Sequence, residues 1–115
     1  MPLAEDAAAA AAKTPGQLGR EGEAAVQSAY DIGDKAKLTI NGRIRIPDGL
    51  NPFVRSLSEV KNVDSLSFTQ QLRDYLEYAQ NQGFRFDLYT RPNTQLSGPL
   101  QNIIDSGRIN LLHIP

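Results

Sequence analysis

Residues 43–62, RIRIPDGLNPFVRSLSEVKN, decide the reading of this chain. They predict two short strands, with Asp48 at the end of the first and Glu59-Val60-Lys61 on the second. Side chains alternate across a strand, so Glu59 and Lys61 share one face and Val60 takes the other. If the strands pair or lie side by side, Asp48 joins Glu59 and Lys61 in one polar cluster. Two carboxylates and an amine at a sheet end suit a magnesium-dependent phosphodiesterase. The carboxylates can hold a hard cation that keeps several waters, and the cation polarises phosphate and activates water. The amine can orient that water or offset charge building on phosphorus. Each piece alone is weak. An aspartate after Ile46-Pro47 is commonly a turn former, and Glu-x-Lys on a solvated face is commonly a salt bridge of little worth.

Upstream, Ala36–Ile40 and Arg43–Ile46 flank Asn41-Gly42, a strong hairpin signal because both turn positions tolerate positive φ. Residues 17–31, QLGREGEAAVQSAYD, predict an amphipathic helix with Leu18, Ala25, Val26 and Ala29 near one face. Gly19 and Gly22 inside it each cost up to about 1 kcal/mol relative to alanine, which a close approach of backbone or ligand would explain. Glu23 is either a further carboxylate for the cluster or a solvated glutamate. Residues 1–16, MPLAEDAAAAAAKTPG, read as an Ala-rich linker or domain boundary without an amphipathic stripe, ended by Thr14-Pro15-Gly16. That leaves 17–115 as the folded domain.

Downstream, Asn51-Pro52 marks a turn and Phe53–Asn62 a strand. A helix over Ser67–Gln82 follows, with Phe68, Leu72, Tyr75, Leu76 and Ala79 at helical spacing, Ser67 as N-cap and Gly83 as its stop. Gln71 and Tyr75, four apart, are neighbours on that helix. Phe84–Thr90 reads as a strand. A short helix over Ser97–Ser106 has Pro99 in its first turn and Gly107 past its end. The last strand, Arg108–Ile114, carries His113, read as a strand-end residue.

The 115 residues make one domain, and 40 % hydrophobic and 22 % charged residues are ordinary globular values. There is no cysteine, hence no disulfide and no thiolate zinc site. No apolar run reaches the roughly 18 residues of a membrane helix, and a signal-peptide order is missing at the start, so no membrane anchor is expected. A net charge of −1 disfavours a generic nucleic-acid coat protein. Basic residues nevertheless gather between Asp34 and Lys61 (Lys35, Lys37, Arg43, Arg45, Arg55, Lys61). A single histidine excludes a two-histidine ribonuclease mechanism within the domain.

The order helix, hairpin, strand, helix, strand, helix, strand predicts an α/β sheet with helices packed on it. Neither a Gly-rich phosphate loop nor a Gly-x-Ser-x-Gly elbow occurs. Pro47-Asp48, then Glu59-Val60-Lys61, then a helix with Gln71-x-x-x-Tyr75, resembles the PD-(D/E)XK nuclease superfamily. More narrowly, RIPDG, EVKN, QLRDYLEYA and PLQNIIDSGRI together are similar to the restriction-endonuclease-fold toxin domains at the C-termini of bacterial polymorphic toxins. The similarity runs from Gln17 to Ile114.

The resemblance implies a restriction-endonuclease-like core, a mixed sheet of about four to five strands flanked by helices. It implies that Asp48 and Glu59 ligate Mg²⁺ or Mn²⁺, joined by Glu23, with Glu21 a nearby competitor. Lys61 would position the water and Gln71 would orient that water or the phosphate. Arg43, Arg45, Arg55 and Arg73 are candidates for phosphate contacts. The implied activity is that of an endonuclease, a DNase first and an RNase as the open alternative. It would be delivered by a bacterial secretion system from a longer toxin into the target-cell cytoplasm, and restrained in the producer by a cognate immunity protein. A non-catalytic protein- or nucleic-acid-binding module on the same sheet is the reading from another class.

Overall fold

Thr14, expected to end a linker, instead caps the first helix among the described residues. In the computed structural model, which describes residues 13–115, its hydroxyl accepts from the Gln17 N–H while the Gln17 side chain accepts from the Thr14 N–H. This reciprocal cap, with Pro15 at the first helical position, fixes helix α1 as Pro15–Ala29. Residues 14–16 of the expected linker thus belong to this helix and its cap, and residues 1–12 lie outside the described residues.

Eight strands and two more helices follow: β1 (Leu38–Ile40), β2 (Arg43–Arg45), β3 (Gly49–Asn51), β4 (Ser56–Lys61), β5 (Ser65–Leu66), α2 (Gln70–Gln82), β6 (Arg85–Thr90), β7 (Gln95–Leu96), α3 (Gly98–Asp105) and β8 (Asn110–His113). The main sheet has the order β3-β4-β6-β8. β3 runs antiparallel to β4, and β4, β6 and β8 are mutually parallel. This is the expected α/β architecture with a mixed sheet of four strands.

Central strands of such a sheet are covered on both faces. On one face Leu57, Phe86 and Leu88 pack with Leu72, Tyr75, Leu76 and Ala79 of α2 and Leu100 of α3. On the other, Val60 and Tyr89 pack with Val26 of α1 and Ile32. α2 is capped by Thr69, whose hydroxyl accepts from the Leu72 N–H, so the helix begins two residues later than a Ser67 cap predicts. It ends at Gly83, in the left-handed conformation at φ 70°. Ser97 caps α3, with Pro99 in the first turn.

Two local readings change. Gly49–Asn51 is a strand rather than part of a turn, and the expected strand over Phe53–Asn62 begins only at Ser56. Phe53 is 97 % exposed in the turn between them, and Arg55 closes that turn at φ 54°. The Asn41-Gly42 hairpin forms as expected, but β1 and β2 make a separate two-stranded sheet beside α2. Among the described residues no helix is long and apolar enough to cross a membrane.

Candidate active site

Glu59 sits in the middle of β4 and is only 4 % exposed. Strand alternation turns Glu59 and Lys61 toward α2 and Val60 toward α1, as the core partners of Leu57 and Val60 show. Lys61 Nζ lies 3.2 Å from Glu59 Oε2 and 2.7 Å from Gln71 Oε1. The Gln71 amide is held from its other end, its Nε2 donating to the buried Tyr75 hydroxyl at 3.4 Å. Four residues of spacing on α2 thus orient the amide that receives the lysine.

Asp48 precedes β3 directly, and the β3–β4 pairing brings it to β4. Its N–H donates to Glu59 Oε1 at 3.3 Å, and its Oδ2 accepts the Val60 N–H at 2.8 Å. The sequence reading put Asp48 at the end of the strand before it. The structure attaches it instead to the antiparallel partner of β4, a firmer link because main-chain pairing sets the register Gly49 to Ser58.

Burial pushes the Glu59 carboxyl up to about 8, reinforced by the Asp48 charge and opposed by Lys61. Burial also raises Asp48, against the Val60 N–H that favours its charged form. Burial and the Asp48 charge together favour a proton on Glu59. A proton retained there in the absence of cations is what a divalent ion would replace. The donor set, two carboxylates with no nitrogen or sulfur, fits magnesium or manganese, which bind through one or two carboxylates plus water and substrate oxygens.

Glu23 reaches the same corner from α1, on the far side of Asp48. Lys35 Nζ lies 2.6 Å from Glu23 Oε1 and 3.8 Å from Asp48 Oδ1. Among the described residues no three His, Cys, Asp or Glu side chains are grouped so as to hold one metal ion. The sequence does not single out Lys35, which the structure brings to this corner. It lies in a loop without periodicity and registers in the sequence only as one of several basic residues.

The arginines go elsewhere. Arg43 and Arg45 share a face of β2, and both reach Asp74 on α2. Arg43 Nε and Nη2 donate at 2.8 and 2.7 Å, Arg45 Nε at 2.8 Å, and Gln70 adds a fourth hydrogen bond. Asp74 is 1 % exposed, and the Arg43 hydrogen bonds hold its carboxyl well below the ordinary range. These arginines fasten the hairpin to α2. Arg73 stacks on Phe68, 4.2 Å from the ring centre, and Arg55 lies in the exposed β3–β4 turn. None of the four is drawn into the Asp48–Glu59–Lys61 cluster.

Gly22 has its explanation at this corner: a Cβ there would lie 2.8 Å from the Asn62 Cβ, just past Lys61. Asn62 Nδ2 donates to the Leu18 carbonyl at 2.8 Å, binding α1 to the end of β4. Nothing in the structure explains Gly19.

A family model described as restriction endonuclease fold toxin 7 matches residues 19–100. That span holds Glu23, Lys35, Asp48, Glu59, Lys61 and Gln71. No curated protein and no solved structure matches the chain.

Proposed function

The chain belongs to the restriction endonuclease fold toxin 7 family, and on that premise we propose that it is a divalent-metal-dependent endonuclease, a DNase, serving as the payload of a delivered antibacterial toxin. The observation that carries the catalytic reading is Lys61 Nζ, held between Glu59 Oε2 and Gln71 Oε1 while Asp48 meets the other oxygen of the same glutamate.

Asp48 and Glu59 would hold a magnesium or manganese ion. When bound, that ion would polarise the phosphate and lower the pKa of an attacking water. Lys61 has three N–H donors. Two are directed at Glu59 and Gln71, which leaves the third for the water or a phosphate oxygen. Gln71, braced by Tyr75, keeps the ammonium from collapsing fully onto Glu59. The buried floor of Leu57, Leu72 and Tyr75 lowers the local dielectric, so the fixed ammonium acts on developing phosphate charge more strongly than it would in water.

Delivery from a longer polypeptide, action in a target cell's cytoplasm and neutralisation by an immunity protein form the biological side of this proposal, supported by the toxin family. The test is cleavage of plasmid DNA and total RNA with Mg²⁺, with EDTA, and by Lys61→Met. Magnesium-dependent DNA cutting lost in the variant is expected, with a drop of about 10²-fold or more, as for removal of one fixed transition-state donor. RNA cutting alone would keep the site and change the substrate. Intact DNA and RNA with a folded sample would overturn the nuclease reading.

A further inference from the structure

Lys35 is held at the acidic corner by backbone geometry rather than by a chance side-chain pose. Gly33 has φ +80°, and a Cβ there would lie 2.3 Å from the Leu50 carbonyl oxygen. A Cβ on Gly49 would lie 2.4 Å from the Ile32 carbonyl oxygen. Two glycines facing each other's neighbours let the α1–β1 loop press directly on β3, and the Leu50 N–H donates to the Asp34 carbonyl at 2.9 Å. Asp48 is the residue before Gly49, and Lys35 the residue after Asp34. The antiparallel bridge of Asp34 to Leu50 puts Lys35 across from Gly49, one residue from Asp48 and within reach of its carboxylate, and Glu23 completes a carboxylate–ammonium–carboxylate arrangement.

We propose that Lys35 fills the place of a second cation, so that the site takes one divalent ion on Asp48 and Glu59 while Glu23 acts by holding Lys35 and not as a metal ligand. The inference rests on the metal-dependent reading above. Its physical basis is charge balance. Three carboxylates, the ammonium groups of Lys35 and Lys61 and one divalent ion leave a single positive charge, which the single negative charge of a phosphodiester offsets. A second divalent ion would leave three, and would have to displace an ammonium already 2.6 Å from Glu23. The absence of any grouping of three metal-binding side chains among the described residues agrees with this division of roles. Lys35 is a positioning residue in this scheme. It supplies fixed charge beside the ion and keeps Asp48 turned toward β4.

The experiment is a calorimetric titration of the full chain with Mn²⁺ at pH 8. Wild type is expected to bind one ion. Glu23→Gln should keep that ion with affinity changed by no more than about threefold, the scale of one partly exposed ion pair. Glu59→Gln should weaken it by at least about tenfold. Lys35→Met, which frees Glu23 and Asp48 together, should admit a second ion. Two ions on wild type, loss of the ion in Glu23→Gln as in Glu59→Gln, or a single ion on folded Lys35→Met would each overturn the role given to Lys35. If wild type binds no Mn²⁺ that Glu59→Gln removes, the metal-site reading itself fails, a result distinct from the other three.

Discussion

At pH 8 and without divalent cations, Glu59→Gln is expected to make the protein more stable, although it alters a nearly buried residue in the central sheet. An unfolded glutamate loses its proton near pH 4.5, whereas burial and the Asp48 charge keep the folded Glu59 protonated until about pH 8. Between those values the native state binds more protons than the unfolded one, so stability falls as pH rises through the window. The slope is at most about 1.4 kcal/mol per pH unit. The Asp48 charge and the Lys61 ammonium act on Glu59 in opposite senses, so the loss across the window should be on the order of 2 to 4 kcal/mol. Glutamine has no proton to lose, keeps one oxygen to accept from either Lys61 or the Asp48 N–H, and removes the charge that repels Asp48. Urea denaturation in EDTA from pH 5 to 9 would show wild-type stability declining and the variant's curve flatter, crossing above it by pH 8. Added Mg²⁺ should restore the wild type most strongly at high pH, where the carboxylates are ionised, and leave the variant unmoved. A wild-type curve flat from pH 5 to 8, or a variant less stable than wild type at pH 8, would refute this account of the buried pair.

Gly49→Ala should cost about 1–3 kcal/mol in urea unfolding, because its Cβ meets the Ile32 main-chain carbonyl, which cannot move without the loop. Gly22→Ala should cost less, since there the obstacle is the Asn62 side chain. Thr69→Ala should lose about 1 kcal/mol through the α2 cap while Ser67→Ala leaves stability nearly unchanged, the reverse of what a Ser67 cap would give. Asp74→Asn should speed amide hydrogen exchange in Leu38–Arg45 ahead of the main sheet, since that carboxylate is where both hairpin arginines end. Uniform exchange behaviour across β1, β2 and β4 would show that other contacts anchor the hairpin.

The sequence by itself determined what depends on near neighbours. Periodicity placed α1, α2, β4 and β6, the Asn41-Gly42 turn placed the hairpin, and Gly83 and Pro99 marked their helix ends. Glu59, Lys61 and Gln71 could be read because strand alternation and helical spacing fix which face a side chain takes. Only the tertiary structure decided the rest. β3 is three residues long and is a strand only because β4 lies beside it, so it has no pattern of its own, yet it carries Asp48 to Glu59. Thr14 and Thr69 cap helices at positions where several hydroxyl or turn residues stood as candidates. Arg43 and Arg45 looked free for phosphate until α2 brought Asp74 under them, 31 and 29 residues away in the chain. Lys35 comes to the acidic corner through two glycines sixteen positions apart, Gly33 and Gly49, which allow two backbones to touch. Contacts of that kind depend on where the chain returns in space, and local sequence carries no record of it.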